Sequence, residues 1–548
     1  MQVEFDHTWN DIYEYYFRKG MKLYIMNSIS SIMIASIVTF APLFLFNCIQ
    51  WQMIGKEDTL SKIILPFWKA WSNSGFITKI CTIVFFVFTL FLVFQLLLSL
   101  PRFASLQKYY EKTLGIKDED LSVIEWSEVV DSIVICDPQR SVSILGIAQQ
   151  IMKIDNFLCA LVSDPSALTW RIPIINATSQ IPYTEFFVYL LKLSLSGIVF
   201  DAKGDSLVSG AQSIKNGMAA TKLQNRFRLI GIVLIIFLPF TLAFELLYIF
   251  FSYAEAIRTS PNSISNRKWT VSAKWQVRDF NELPHIFEKR IISASEYANF
   301  YLDDFKSEIA RPILRAVSFI CGAIIGCILV IGLLTDISMV LGLKIYGDKT
   351  IAWLIAVLAG VYAISSTTDV VPINKPQLST EELLSELENR IHYDFKDDNN
   401  SPKSWQTMSS VAGFFQPQWQ QVLSDLVSAL LNPLFFFIVL PLKASSIIDF
   451  VKRNSIYKDD IGWMCSFSAF SETEINRFDS SPNHKQRMKK SYESFNQQES
   501  KQIRTENSED LIQSAFLTKP ADGIEDENLL QGFESLNTMS PAQFLVEE

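Results

Sequence analysis

The densest group of chemically capable side chains lies in Trp275-Gln-Val-Arg-Asp-Phe-Asn-Glu-Leu-Pro-His285. Arg278, Asp279, Asn281, Glu282 and His285 bring a cation, two carboxylates, an amide and an imidazole into eight residues, the types used for general acid–base work. No partner carboxylate and no His cluster at metal-ligand spacing accompanies them. The same residues suit a buried turn tied by hydrogen bonds, with Pro284 opening the next helix, and this structural reading is preferred. Gly342-Leu-Lys-Ile-Tyr-Gly-Asp-Lys-Thr350 imitates a phosphate loop but carries Asp348 where the lysine belongs. No G-x-S-x-G elbow and no H-E-x-x-H pair occurs. The expectation is therefore a protein that makes and breaks no bonds, with no metal and no cofactor.

A second kind of candidate is an ionisable group within an apolar stretch, which is costly at membrane depth and usually faces protein or water. Glu245 is one, six residues after Pro239. It serves either a polar path through the membrane or a solvated position at the interface. Six apolar stretches run through the chain. A bilayer core of roughly 30 Å needs about 20 apolar helical residues. Leu23–Gly55, Ile80–Leu100 and Ala316–Thr335 carry no charge and meet that length, and Ile351–Thr368 is slightly short. Leu229–Phe244 contains Pro239, and Leu426–Leu442 contains Pro433 and Pro441. These prolines are read as re-entrant breaks, at which a helix enters the membrane and turns back. Irregular backbone at that depth must be packed on protein or line a wet cavity.

The 548 residues are 49% hydrophobic with 42 Phe and 20 Gly, which suits helices. From Glu506 onward ten acidic residues meet one Lys, matching the whole net charge of −9. The rest is near neutral, which excludes a basic nucleic-acid face. Seven Cys without a CxxC pair favour reduced thiols. Arg18, Lys19 and Lys22 before the first span, Arg102, Lys108 and Lys112 after the second, and Arg311 and Arg315 before the third place these flanks in the cytosol. With four crossings both termini are cytosolic, and so is the sequon Asn176-Ala-Thr178, where no glycan is then expected.

The expected fold class is an all-α integral membrane protein with four transmembrane helices, two re-entrant membrane helices and helical cytosolic segments. Residues 1–22 form a cytosolic N-terminal arm, and 23–101 the first transmembrane pair, with spans about 23–48 and 80–100. Residues 102–225 are a cytosolic helical region. Within it Ser143–Val162 shows helical apolar spacing, and Asp118–Asp131 reads as a helix with Trp126 and Val130 on one side. The first re-entrant segment is 226–254 and the cytosolic signature segment 255–312. The second pair occupies 313–368, with spans about 316–335 and 351–368. A cytosolic helical region at 369–425 includes a capping box at Ser379 and Glu382. The second re-entrant segment is 426–442, the cytosolic C-terminal core 443–470, and a Ser/Asn/Gln/Glu-rich disordered tail 471–548. Ser318, Gly322 and Gly326 share one helix face and serve either oligomer packing or ordinary intrachain packing. Lys485, Arg487, Lys489 and Lys490 are read as a solvated charge cluster, with contact to anionic lipid as the alternative.

The run Arg278-Asp-Phe-Asn-Glu-Leu-Pro-His285 closely resembles the signature of the autophagy-related protein nine family. Arg267-Lys-Trp-Thr270, Phe300-Tyr-Leu-Asp-Asp-Phe305 and Val317-Ser-Phe-Ile320 follow that family's order. Tyr110, Asp118–Leu121, Trp126-Ser-Glu-Val-Val130 and Ile151-Met-Lys-Ile-Asp-Asn-Phe157 match upstream. His392-Tyr393 with Trp405, Asn432-Pro-Leu434 and Gly462–Phe470 match downstream, for coverage of roughly Trp9 to Phe470.

The resemblance implies a domain-swapped homotrimer with four transmembrane and two re-entrant helices. It implies an ATP-independent phospholipid scramblase on Golgi- or endosome-derived vesicles and the phagophore membrane, active in autophagosome assembly. Membrane phospholipids and a bridge-like autophagic lipid transfer protein are the implied partners, and contact with autophagy initiation complexes is left open. Some relatives place consecutive charges where this chain has Arg258-Thr-Ser260. Arg226, Arg228, Glu245 and Arg258 are the lipid-path candidates, although Arg226 and Arg228 fit equally as positive-inside anchors. The alternative function is a non-transporting trimeric scaffold that recruits autophagy factors. An ion channel would need charge rings, and many solute carriers show inverted repeats; neither is found.

Overall fold

A computed structural model describes residues 8–53, 63–136, 143–163, 169–171, 178–180, 184–201, 204–209, 216–259, 266–305, 310–346, 349–366, 376, 378–395, 401–459, 461–470 and 487–496. In chain order the helices begin α1 (Trp9–Phe17), α2 (Gly20–Leu43), α3 (Phe67–Asn73), α4 (Phe76–Tyr109), α5 (Trp126–Cys136), α6 (Ile144–Ile151), α7 (Lys153–Ser163), α8 (Glu185–Leu195) and α9 (Asn216–Thr259). They continue with α10 (Val271–Val277), α11 (Pro284–Asp303), α12 (Ala310–Leu334), α13 (Ile337–Gly342), α14 (Ile351–Ser366), α15 (Thr380–Ile391), α16 (Trp405–Phe414), α17 (Gln418–Leu434) and α18 (Leu440–Arg453). A last helix, α19, covers 487–496. Four short antiparallel strand pairs are described: Thr169–Arg171 with Thr178–Gln180, Arg267–Trp269 with Phe415–Pro417, Lys344–Tyr346 with Lys349–Thr350, and Ser455–Lys458 with Gly462–Cys465. The chain divides into two compact units.

The first unit comprises 1–247, 278–287 and 428–548. Within the expected N-terminal arm, residues 8–17 fold onto this unit's core. A capping box between Thr8 and Asp11 starts α1, and Trp9, Ile12, Tyr13, Tyr15 and Tyr16 are buried. They join Tyr24, Phe103, Leu106, Tyr109, Tyr110, Leu121, Trp126 and Leu283 in one aromatic core. Tyr110 donates to the Ile12 carbonyl (2.8 Å) and stacks on Tyr15. The chain reverses between α1 and α2 at Lys19 and Gly20, both with positive φ. A Cβ on Gly20 would lie 2.7 Å from the Asp118 carboxylate carbon, so only glycine lets that side chain in. Asp118 is thus committed to this turn. The helix expected over 118–131 starts instead at Trp126, after a short 3-10 turn at Asp120–Ser122, and runs to Cys136. The expected single helix over 143–162 is two helices bent by 69° at Met152. The bend puts Asp155 in the first turn of α7, where backbone N–H groups favour a negative charge.

Both proline-containing apolar segments stay helical through the prolines that the sequence reading took as breaks. Helix α9 runs unbroken for 44 residues with Pro239 inside it, about 66 Å at the usual rise. Proline removes one N–H, here the one that would pair the Ile235 carbonyl, but apolar surroundings offer the backbone no competing partner and the helix continues. Helices α17 and α18 follow one another through a π-turn at Phe435–Val439. Pro433 lies inside α17 and Pro441 in the first turn of α18. None of the three prolines ends its helical run. By length and composition five helices among the described residues suffice to cross a membrane: Gly20–Val38, Thr78–Leu114, Gly217–Phe251, Arg315–Leu334 and Gln418–Arg453. The short member is α14, 16 residues or about 24 Å.

The second unit comprises 248–277 and 288–427. Helices α12 and α14 pack side by side, linked by α13 and the Lys344–Thr350 hairpin. The phosphate-loop imitation is thus split between a helix end and two strands. Ser379 and Glu382 form the expected capping box on α15. The Arg267–Trp269 strand pairs with Phe415–Pro417, Trp269 Nε1 donates to Ser295 Oγ (2.9 Å), and Tyr301 donates to the Pro402 carbonyl (2.7 Å).

The expected tail 471–548 needs one amendment. Its residues 487–496 are helical, with Met488 and Ser491 buried. Residues 471–486 and 497–548, with Lys485 and the acidic end, lie outside the described residues, as does Asn176.

A sharp contact in the first unit fixes a testable expectation. A Cβ on Gly231 of α9 would fall 2.7 Å from the Phe437 backbone nitrogen, and a backbone atom cannot swing aside. Gly231→Ala is expected to lower stability by about 1–3 kcal/mol through overpacking, read as a lower thermal midpoint in detergent. Gly413→Ala, with open space around it, serves as the control and holds its midpoint; equal midpoints for the two would refute the close crossing.

Candidate functional site

The signature run is buried from Arg278 to Leu283. Its first fastening is ionic. Arg278 donates from Nη1 to Asp155 Oδ2 (3.2 Å), and Lys192 Nζ of α8 takes Asp155 Oδ1 (2.8 Å). Arg278 Nη2 reaches the Glu282 carbonyl (3.3 Å), and the guanidinium lies 5.5 Å from the Phe287 ring centre. Burial opposes charge on Asp155, but the Lys192 and Arg278 cations outweigh it and hold the carboxyl below the usual carboxylate range.

The second fastening is neutral. Asn281 sits at φ +60, a left-handed conformation that Asn tolerates better than most residues. Its backbone N–H donates to Asn156 Oδ1 (2.9 Å), Asn156 Nδ2 donates to Asn281 Oδ1 (2.9 Å), and Asn281 Nδ2 donates to the Ser468 carbonyl (2.8 Å). Glu282 Oε2 accepts from the Asp279 N–H (3.0 Å), closing the turn. Phe280 stacks against Phe467. Pro284 opens α11, and His285 lies beside α1, with Tyr13 Oη 2.9 Å from Nδ1 and accepting from the His285 N–H (3.3 Å). The polar groups that looked catalytic in sequence thus join α1, α7, α11 and the Ser466–Ser468 turn.

Two nearby thiols are buried. Burial pushes Cys159 up to about 11 and Cys465 up to about 12, so neither is a thiolate at neutral pH. The cysteines described are free, with no disulfide among the described residues.

The sequence reading placed Arg487 in a solvated charge cluster and passed over Ser491; both are fastened to the signature turn. Arg487 Nη1 donates to the Cys159 carbonyl (3.2 Å) and to Ser163 Oγ, its Nη2 donates to the Arg278 carbonyl, and its guanidinium lies 5.1 Å from the Phe280 ring centre. Ser491 Oγ accepts from the Phe280 N–H (3.2 Å) and donates to Asp279 Oδ1 (3.2 Å). The available signal was the helical spacing of Met488, Ser491 and Phe495.

The lipid-path candidates are not brought together. Arg226 Nη1 donates to the Ser196, Ser194 (3.3 Å) and Leu193 (3.4 Å) carbonyls at the C-terminus of α8, a favourable place for a cation. Arg228 is exposed two residues on. Glu245 is half-buried on the same helix, about 26 Å along the axis from Arg228 at the helical rise. Its neighbour Phe244 packs against Phe85 and Phe88 of α4. Arg258 lies one residue before the end of α9, and its side chain is outside the described set.

In the small-residue stripe, a Cβ on Gly322 would touch Tyr362 of α14 at 3.4 Å, while Gly326 meets nothing within 4 Å. Gly322 therefore serves intrachain packing, and Ser318 is half-buried on the same helix. Beside them an open cleft of about 690 Å³ is lined by Pro312, Arg315, Ala316, Ser318, Phe319, Gly322, Ala323 and Tyr362.

Long apolar helices together with a buried polar fastening define a polytopic α-helical membrane protein with a folded polar core. The sequence pattern described as Autophagy protein ATG9 matches residues 3–471, and the chain belongs to that family. Autophagy-related protein 9 of Saccharomyces cerevisiae is 28% identical over 489 residues, covering 85% of this chain and 47% of the relative. The Neurospora crassa protein of the same name is 26% identical over 493 residues, covering 85% and 53%. The chain spans about half the length of these curated relatives. A cryo-EM structure of Schizosaccharomyces pombe Atg9 is 20% identical with a TM-score of 0.62, covering 84% of this chain and 98% of that one, which shows a shared fold.

Because the folded state holds Asp155 ionised, its contribution is present above the ordinary carboxylate pKa and fades as pH falls through the lowered folded value. Asp155→Asn is expected to cost roughly 3 kcal/mol at pH 7 by leaving Arg278 without its counter-charge, and the gap to wild type narrows as the pH falls through the carboxylate range and below. Thermal midpoints between pH 3 and 7 check this; a gap constant across that range contradicts it.

Proposed function

We propose that the chain is an ATP-independent phospholipid scramblase acting in autophagosome formation. It moves lipid between the leaflets of Golgi- or endosome-derived vesicles and the phagophore membrane, as a homotrimer with cytosolic termini, and receives lipid from a bridge-like lipid transfer protein. The observation that carries the reading is Glu245, an ionisable side chain between the apolar runs Leu229–Phe244 and Leu246–Phe251 of the continuous helix α9. An acid in such a helix favours water or polar neighbours alongside it, which is what a headgroup needs to cross while its tails stay in lipid. Membership of the Autophagy protein ATG9 family supports the cellular setting.

The continuity of α9 alters the mechanism implied by re-entrant segments. A groove would run along intact helices and would not be built at helix breaks. The cleft lined by Arg315, Phe319 and Tyr362 pairs a cation with apolar walls, a chemistry that suits a phosphate group attached to acyl chains.

Purified protein in liposomes carrying a fluorescent phospholipid is expected to expose inner-leaflet label to an external quencher without ATP. Glu245→Leu slows this exchange several-fold while the protein remains folded. Exchange no faster than in empty liposomes overturns the proposal. Intact autophagy in cells whose variant has lost exchange favours the scaffold reading instead.

A further inference from the structure

We propose that Ser491 is a phosphorylation site for a protein kinase directed by basic residues, and that its modification releases α19 from the signature turn. The target run is Arg487-Met-Lys-Lys-Ser491, with cations four, two and one residues ahead of the hydroxyl. Lys489 is exposed, whereas Arg487 is spent on the Arg278 and Cys159 carbonyls. Ser491 itself is 1% exposed, with its Oγ between the Phe280 N–H and the Asp279 carboxylate.

This placement makes docking and modification exclusive. The kinase must extend the run to reach Oγ, so only undocked α19 is a substrate. In the transfer, Ser491 Oγ bonds to the γ-phosphorus of ATP, the bond from that phosphorus to the departing ADP oxygen breaks, and the hydroxyl proton passes to the kinase's base. The product has no proton to donate to Asp279. It brings close to two negative charges against that carboxylate in a space closed to water, where like charges repel most strongly. Phosphate therefore holds α19 off, and Arg487 leaves the Arg278 carbonyl with it. The docked helix covers the back of the Arg278–Leu283 turn, so its release uncovers the buried fastening on which the first unit is built. An isolated ten-residue helix is marginal in water, so the released segment unwinds and becomes open to a partner.

The full-length protein in phosphatidylcholine nanodiscs tests this with ATP and a basic-directed serine kinase. Phosphate at Ser491 is measured by mass spectrometry and docking by hydrogen exchange of 487–496. Phe495→Ala, which loses the ring contact to Phe470 but keeps the basic run, is expected to raise the phosphorylation rate at least tenfold. Phosphorylated wild type and Ser491→Asp are expected to exchange at least tenfold faster over 487–496, with α12 and α14 unchanged. Equal phosphorylation rates in wild type and Phe495→Ala, no phosphate in either, or undiminished protection in the phosphorylated protein each overturn the proposal. If Ser491→Asp does not fold, the enzymatically phosphorylated wild type gives the reading. Loss of protection in α12 and α14 along with 487–496 would mean general unfolding and would also overturn it.

Discussion

The first unit depends on one constraint: the Arg278–Leu283 turn must be held closed away from water. Six consecutive residues there are buried although four of them are polar or charged. Burying such groups without partners would be strongly unfavourable. The turn is stable because three of these residues meet a specific partner from elsewhere, Asp155 for Arg278, Asn156 for Asn281 and Ser491 for Asp279, while Glu282 closes on the Asp279 N–H within it. The dependence runs both ways. Asp155 and Asn156 are correctly aimed only because the chain bends at Met152, and Ser468 accepts only because the turn after Gly462–Cys465 turns its carbonyl inward.

That arrangement explains why residues typical of catalysis are used here as a fastening. Charge-assisted and amide hydrogen bonds are directional, so they fix one geometry where an apolar core would accept several. The aromatic core around Tyr13, Tyr15, Tyr16 and Trp126 supplies burial, and His285 sits where the two systems meet. The apolar helices α2 and α4 belong to this unit, and α2 joins its aromatic core through Tyr24 and α4 through Phe103 and Leu106.

The close passage of α9 against the π-turn at Phe435–Val439 follows the same logic in apolar terms. Gly231 offers no side chain, so the Phe437 backbone approaches within contact, and Phe436 fills the space between Phe187 and Phe227. A helix locked in this way tolerates a proline that would end a free helix. Continuity through Pro239 then places Arg226, Arg228 and Glu245 along one helix.

By itself the sequence determined the membrane class, the six apolar stretches, the helix caps and the family, because hydropathy, capping and motif order are local properties of the chain. The Ser379–Glu382 box and the α12–α14 pair are cases in point. The tertiary structure decided what depends on partners distant in sequence. Proline reads as a breaker, yet whether a helix ends there is set by its surroundings, and here α9 continues. The packing of the N-terminal arm and of the helix at 487–496 was not legible because short segments carry little burial signal alone. They became structure through Tyr13 meeting His285 and Arg487 meeting the Arg278 carbonyl. Asn281 at positive φ carries no mark in sequence, since only the surrounding fold holds a residue in the left-handed region and gives its amide the partners that make the strain worth keeping.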